Sequence, residues 1–310
     1  MKGLGELESK NSSSARVEAE SVLPIAVVQM TSVNRVAANE SAIRSALQDI
    51  AKRGGVRLVV FPENVWFLRL VDGESLPDFS MAGPFHQEIQ NWVEANGCAV
   101  VFGAVPVAQA LEPSASGQKK PYAATAVFEP GRQWHVPYTK LHLFDVDVAG
   151  HKPVRESDHL AGGDQPKVWN YLGWKFGCAI CYDVRFAELF SVYARAEVDA
   201  LFLPSAFLVP TGRQHWEILV RARAIESQAY MLAPAQSGEH ADQTGQNPTV
   251  RKTYGRSMVI DPWGRVLEAA QAERSGTEIL YADLHREEIE KVRKQIPMRD
   301  HRRLKLGSEV

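Results

Sequence analysis

The sequence has only three cysteines in 310 residues: Cys98, Cys178 and Cys181. Three thiols cannot build a disulfide framework, and an intracellular, reducing compartment, the cytoplasm, fits that scarcity. An excess of either charge is also lacking, with 35 Lys+Arg against 37 Asp+Glu and a net charge of −2. This excludes the electrostatic footprint of a nucleic-acid or anionic-membrane binder. Long apolar runs are missing too. The longest uncharged stretch, Ala95–Leu111, has 17 residues and is interrupted by Asn96, Gly97, Gly103, Pro106 and Gln109. It is too broken to span a bilayer. Residues 1–22 are charged and Ser-rich without an apolar segment, so they read as a flexible tail and not as a secretory signal. The nine histidines fall at no metal-ligand spacing, and no repeat or coiled-coil heptad is visible.

What is present is core material: 45% apolar and 23% charged residues, ordinary globular usage. Pro24–Met30, Arg57–Phe61 and Cys98–Gly103 read as short buried strands. Between the first two, Asn39 can cap a helix whose apolar face is Ile43, Ala46, Leu47, Ile50 and Ala51, stopped at Gly54-Gly55. Pro84–Asn96 reads as a helix ending at Gly97, and Pro130-Gly131 joins a hairpin. Residues 139–163 form a long connection, the kind that is usually functional. Further on, Lys175–Cys181, Asp199–Leu203 and Ala229–Ala235 read as strands, with helices over about 186–196 and Gln214–Gln228. Arg256–Ile260, Val266–Ala270 and Glu278–Asp283 add strands before a last helix, His285–Gln295. Interleaved strands and helices without a linker favour one α/β domain over residues 23–304, with a short tail at 305–310.

Three side chains share a position. Glu63, Lys140 and Cys181 each follow the carboxyl end of an expected strand, the edge where sites form in α/β sheets. Cys181 would sit on a tight strand-to-helix turn, where a nucleophile is exposed near backbone N–H groups such as that of Tyr182. A thiol near pH 7 is mostly protonated and needs a base, which Glu63 could supply. Lys140 would lower the thiol pKa and stabilise developing negative charge. Taken singly, each residue has a plainer reading: a buried inert cysteine, a first solvated carboxylate, a surface lysine. The pair Cys178-x-x-Cys181 resembles a redox or zinc motif. Period-two alternation, however, sends the two thiols to opposite faces of a strand, and no second pair exists.

These segments resemble the carbon–nitrogen hydrolase (nitrilase) superfamily. The resemblance rests on Phe61-Pro62-Glu63, on the run Tyr138 to Asp145, and on the run Cys178 to Leu189, and it extends from residue 24 to about 304. It implies an αββα sandwich with two mixed sheets and helices outside, assembling as a homodimer or larger homo-oligomer. Within the superfamily the chain is most similar to the omega-amidase and deaminated glutathione amidase branch, through Lys140–Asp147, Pro204–Phe207, Thr211–Glu217, Arg221–Glu226 and Tyr254–Gly264. That branch carries a second glutamate after the lysine loop, which by position falls on Glu156.

The resemblance implies a thiol-dependent amidase with no cofactor and no metal. It would hydrolyse a carboxylate-bearing small amide to the acid and ammonia through a cysteine thioester. Glu63, Lys140, Cys181 and Glu156 would be catalytic. Arg185, Phe207 and Thr211 are candidates for substrate binding, although Arg185 could instead pair with Asp183 or Glu188. Nitrile hydrolysis by the same triad, or a silent scaffold of the same fold, are the alternatives. Two segments depart from the pattern and bear on the substrate: Asn64–Arg69 after the glutamate, and the insertion Thr244–Pro248.

Overall fold

The computed structural model describes residues 20–108, 120–147, 153–245 and 250–304. Two six-stranded mixed sheets form its frame. From edge to edge the first runs Glu278–His285, Val22–Gln29, Leu58–Phe61, Ala99–Val107, Tyr122–Glu129 and Arg132–Thr139. The second runs Val266–Ala269, Met258–Ile260, Tyr230–Ala233, Ala200–Phe202, Trp174–Cys178 and Val168–Tyr171. In each sheet three neighbouring strands are parallel: the one centred on Leu58–Phe61 with its two flanks, and the one centred on Ala200–Phe202 with its two flanks. Parallel neighbours need crossovers. Val36–Arg53 and Gly83–Asn96 serve the first sheet, Ala187–Arg195 and Glu217–Ser227 the second.

Strand parity sets the layers. Ala26, Val28, Val59, Phe61, Val100 and Phe102 pack with Ile43, Leu47, Ile50, Phe85 and Ile89 of the first pair of helices. The alternate residues Ile25, Val27, Leu58, Val60 and Val101 join the core that holds Trp169, Phe176 and Phe202 of the second sheet. Successive side chains of a strand point to opposite faces, so the first sheet lies between its helices and the second sheet. On the far side of the second sheet Gly177 touches the Tyr193 ring, which a Cβ at that position would meet at 2.8 Å. The result is the αββα sandwich.

Several local expectations shift. Asn39 is not a cap: it lies inside Val36–Arg53, whose N-cap is Arg35. Its buried amide instead accepts from Val33 N at 2.9 Å and donates to the Val33 and Trp66 carbonyls. Ala51 is exposed. The strand expected to reach Cys181 stops at Cys178. The helix expected from Gln214 begins earlier, as Val209–Thr211 followed by a wide π-type turn at Gly212–Trp216. Arg185 pairs with neither Asp183 nor Glu188. Strands Val168–Tyr171 and the hairpin Ser237–His240/Arg251–Tyr254 were not anticipated. Residues 1–19 and 305–310 of the expected tails lie outside the described residues. Residues 20–22 are already engaged: the Trp174 indole donates to the Glu20 carbonyl at 2.9 Å, and Val22 opens a strand. Among the described residues, no helix is long and apolar enough to cross a membrane.

Candidate active site

The carboxyl ends of Leu58–Phe61 and Trp174–Cys178 meet beneath a cavity of about 340 Å³, within the size range of small-molecule sites. Gly103 permits that approach: a Cβ there would fall 1.9 Å from the Pro204 Cβ. Pro204 in turn accepts the Cys181 backbone N–H at 2.9 Å. Cys181 adopts φ +47°, which a non-glycine residue rarely does. The strand ends three residues earlier, and the chain turns into a short 3-10 helix, Cys181–Arg185. Strain at this position is characteristic of a nucleophile held at a strand-to-helix turn.

The turn is pinned by Asp183, which is fully buried. One carboxylate oxygen accepts the Ile180 N–H at 2.9 Å and the Tyr138 hydroxyl at 2.7 Å. The other lies 3.0 Å from the His142 backbone N–H and 2.7 Å from His142 Nδ1. Tyr138 and His142 flank Lys140, so one carboxylate ties the lysine segment to the cysteine turn. Burial, and then Asp183, push the Tyr138 phenol well above its usual range, which keeps it a donor.

All eight residues expected at the site line this cavity: Glu63, Lys140, Glu156, Cys181, Tyr182, Arg185, Phe207 and Thr211. Lys140 is buried, and its Nζ donates to Glu63 Oε1 at 2.9 Å and to the two Glu156 oxygens at 2.9 and 2.8 Å. Burial opposes charge on Lys140, but Glu156 and Glu63 outweigh it and hold the ammonium pKa well above its ordinary value. Glu156 Oε2 also accepts the Phe144 N–H at 2.6 Å. The Cys181 thiol has Glu63 and the backbone of Ala206 as polar neighbours. Burial first, and the Glu63 charge second, raise its pKa well above the usual thiol value, with Lys140 acting the other way. Cys181 therefore rests as a thiol beside a carboxylate. The Tyr182 N–H, in the first turn of the short helix, has no carbonyl partner among the described residues.

Arg185 packs its guanidinium over the Tyr182 and Phe207 rings at 5.9 and 5.6 Å and lies 3.3 Å from His215 Nδ1. Phe207 rests on buried Trp216 at 4.8 Å, while the Thr211 hydroxyl donates to the Leu208 carbonyl. Cys98 and Cys178 lie in the core with pKa values pushed up to about 12 by burial. No group of three or more His, Cys, Asp or Glu among the described residues is placed to hold a metal.

Sequence reasoning missed Arg69, His159 and Arg251, which also line the cavity. The available signal was position: Arg69 closes the unassigned segment after Glu63, and Arg251 follows the insertion, of which 246–249 lie outside the described residues. It also missed Gln236, which follows the strand Tyr230–Ala233, donates to the Glu63 carbonyl at 2.9 Å and accepts from the Ser32 N–H at 2.8 Å, bracing the glutamate's backbone.

Comparison with known proteins places the chain in a family. The carbon–nitrogen hydrolase family matches residues 24–294. A deaminated glutathione amidase of Synechocystis is 34% identical over 89% of this chain and 97% of its own length. The mouse omega-amidase NIT2 is 31% identical over 92% of this chain and 97% of its own. Among solved structures, the Caenorhabditis elegans NitFhit protein superposes with a TM-score of 0.75 at 31% identity, covering 92% of this chain and 66% of that one. Saccharomyces cerevisiae Nit3 gives 0.72 at 27% identity, covering 94% of this chain and all of that one. The chain belongs to the carbon–nitrogen hydrolase family, as an amidase acting on C–N bonds other than peptide bonds.

Proposed function

We propose that the protein is a thiol-dependent amidase for small amides that bear a carboxylate, of the deaminated glutathione or α-ketoglutaramate type. The observation that carries this reading is the Glu63–Lys140–Glu156 ion cluster beside the Cys181 thiol, in a cavity whose wall also presents arginines. Glu63 takes the thiol proton, and the thiolate attacks the amide carbonyl carbon. The three N–H donors of Lys140 are all engaged at rest. When Glu63 becomes protonated its hold on Nζ weakens, and one donor turns to the oxyanion together with the Tyr182 N–H. The C–N bond then breaks, and the nitrogen takes the proton from Glu63. It leaves as ammonia from a primary amide, or as the amine from a substituted one. Glu63 next deprotonates a water that attacks the thioester, and the acid leaves as Cys181 recovers its proton. Glu156 holds Lys140 in place throughout.

Relatives named as amidases favour the amide over a nitrile. Assembly through the outer helical face, where Ile218, Ile225 and Trp263 are exposed, is part of the same reading. The test measures release of ammonia or amine from α-ketoglutaramate, deaminated glutathione and a nitrile panel, alongside Cys181→Ala. Full activity in the mutant sinks the nucleophile. Turnover of nitriles alone sinks the amidase. Equal, slow iodoacetamide labelling of all three cysteines indicates a silent scaffold.

A further inference from the structure

Next to the Glu63 backbone lies a chain of buried polar side chains that the proposed chemistry does not use. Gln236, Ser32, His240 and Thr253 are all fully buried. Gln236 Nε2 donates to the Glu63 carbonyl at 2.9 Å and to Ser32 Oγ at 2.7 Å, while its Oε1 accepts the Ser32 N–H at 2.8 Å. The Ser32 hydroxyl donates to the Val65 carbonyl at 3.1 Å. His240 Nδ1 lies 2.7 Å from the Ser32 carbonyl, and its Nε2 lies 2.7 Å from the Thr253 hydroxyl. A carbonyl only accepts and a backbone N–H only donates, so the orientations are forced. The Gln236 amide has one arrangement. The imidazole carries its proton on Nδ1 and accepts from Thr253 on Nε2. Burial keeps His240 neutral, with its pKa pushed down to about 4. His240 and Thr253 belong to the hairpin Ser237–His240/Arg251–Tyr254, so these bonds connect that hairpin to the backbone of the proposed base.

The grip falls on an unusual piece of backbone. Glu63 lies just past the strand Leu58–Phe61, and Asn64 after it adopts φ +57°. The Asn64 N–H donates to the Ala104 carbonyl at 3.1 Å. The peptide plane between Glu63 and Asn64 is therefore held at both ends, by Ala104 on one side and Gln236 on the other. Turning that plane over would take Asn64 out of the sparsely populated left-handed region, and the Gln236 donor opposes the turn. Lys140 fixes only the far end of the Glu63 side chain. Reacting groups must sit within about 0.5 Å of the productive geometry, which calls for support from behind. We propose that Gln236, locked in place by Ser32 and His240, is a positioning residue that aims the Glu63 carboxylate at the Cys181 thiol. None of the three lines the cavity, so they act through Glu63 and not on the substrate. The inference rests on the amidase reading for the role of Glu63, although the thiol can be probed without turnover.

The experiment uses the full chain and compares a primary amide with the aryl ester of the same acid. The amide nitrogen needs the Glu63 proton to leave, whereas a phenolate leaves without one. Asparagine places its amide nitrogen near the position of His240 Nδ1, and glutamine places its own near Nε2. His240→Asn therefore keeps the donor to Ser32, and His240→Gln loses it. Gln236→Met and His240→Gln should lower kcat/KM for the amide by about tenfold to a hundredfold, and raise the ester-over-amide ratio by about tenfold. His240→Asn, the conservative variant, should bring the ratio back to within about threefold of the wild type. Partial unfolding lowers both activities together and leaves the ratio alone. An unchanged ratio in Gln236→Met and His240→Gln, or a ratio that moves equally in the two His240 variants, overturns the positioning role while leaving the amidase intact. In parallel, Cys181 is labelled with iodoacetamide. A displaced base should slow the labelling by about tenfold, whereas unfolding exposes the thiol and speeds it. If the wild type turns over neither amide nor ester, the amidase reading fails. Slower labelling in Gln236→Met then upholds the positioning role, and labelling at the wild-type rate overturns it.

Discussion

At the floor of the pocket Lys140 directs its three donors at Glu63 and at both oxygens of Glu156, all within 2.9 Å, while at the rim Arg69, Arg185 and Arg251 meet no carboxylate among the described residues. The floor is largely buried, and its one ammonium faces two carboxylates. The rim is half-open and carries surplus positive charge. A buried ammonium between two carboxylates is a fixed part that keeps its place whether or not substrate is present. A half-buried guanidinium with only rings and an imidazole for company has its hydrogen-bonding capacity in reserve. On the proposed function the two regions would divide the work: the floor would perform the bond exchange, and the rim would decide which amides reach it.

The sharpest way to break this division is at Cys181. Cys181→Ala should reduce kcat for every amide by at least about 10³-fold, as loss of a covalent nucleophile does. Cys178→Ala, three residues away in the core, should stay within a few-fold. A rim variant should re-rank substrates instead of silencing all of them. If Arg185→Gln also abolished turnover of an uncharged amide, the floor would not be self-sufficient and the division would fall.

Stability separates the regions next. Lys140→Met leaves two neighbouring buried carboxylates without their cation and should cost about 3–5 kcal/mol in urea unfolding. Arg69→Gln and Arg185→Gln, which break no ion pair among the described residues, should cost within about 0.5 kcal/mol. Equal losses would show that the rim arginines are structural after all.

The same contrast explains what could be read from the sequence. Glu63, Lys140 and Cys181 were legible because each follows an apolar strand, and strand ends converge in a sheet fold. The αββα sandwich followed from interleaved buried strands and helices together with the resemblance. Glu156 has no local signal, since it sits in a loop next to Arg155 and Ser157, and only the resemblance reached it. Arg69 and Arg251 were illegible for a related reason: a loop arginine has no periodicity, and its approach to the thiol depends on how two distant segments fold over the sheet edge. Asn39 shows the opposite failure. Its residue type suits a helix cap, but the backbone groups of Val33 and Trp66, brought close only by the fold, claim its amide. The strand Val168–Tyr171 has four residues, too few for its alternation to stand out.

Asp183→Asn probes the joint between the cysteine turn and the lysine segment. The substitution removes the charge that receives the Tyr138 hydroxyl and the Ile180 and His142 N–H groups. A loss of about 1.5–3 kcal/mol is expected, in the range of hydrogen bonds to charged groups. Slower iodoacetamide labelling of Cys181 should accompany it, because the φ +47° turn is no longer held. Labelling at the wild-type rate would mean that the turn holds itself and that the lysine segment is independent of it.

The smallest effect distinguishes floor from rim by pH. Burial and Glu63 raise the folded pKa of Cys181 above its ordinary 9.0, and the carboxylates raise that of Lys140 above 10.5. Cys98 and Cys178 are raised in the same direction, to about 12. A raised folded value means that the native state keeps its proton longer than the unfolded chain does. The stabilisation is complete below the unfolded value and is lost as pH climbs toward the folded one. Unfolding free energy should therefore fall with rising pH from about 9 upward, each such thiol contributing up to about 1.4 kcal/mol per pH unit. Removing the floor thiol with Cys181→Ala should flatten that slope by one group's share. Arg251→Gln removes no thiol and should leave that slope unchanged between about pH 9 and 11. Urea titrations at half-unit pH steps measure both slopes. An Arg251→Gln slope as flat as that of Cys181→Ala would show that the two walls of the pocket titrate as one unit, and the separation of floor from rim would have to be abandoned.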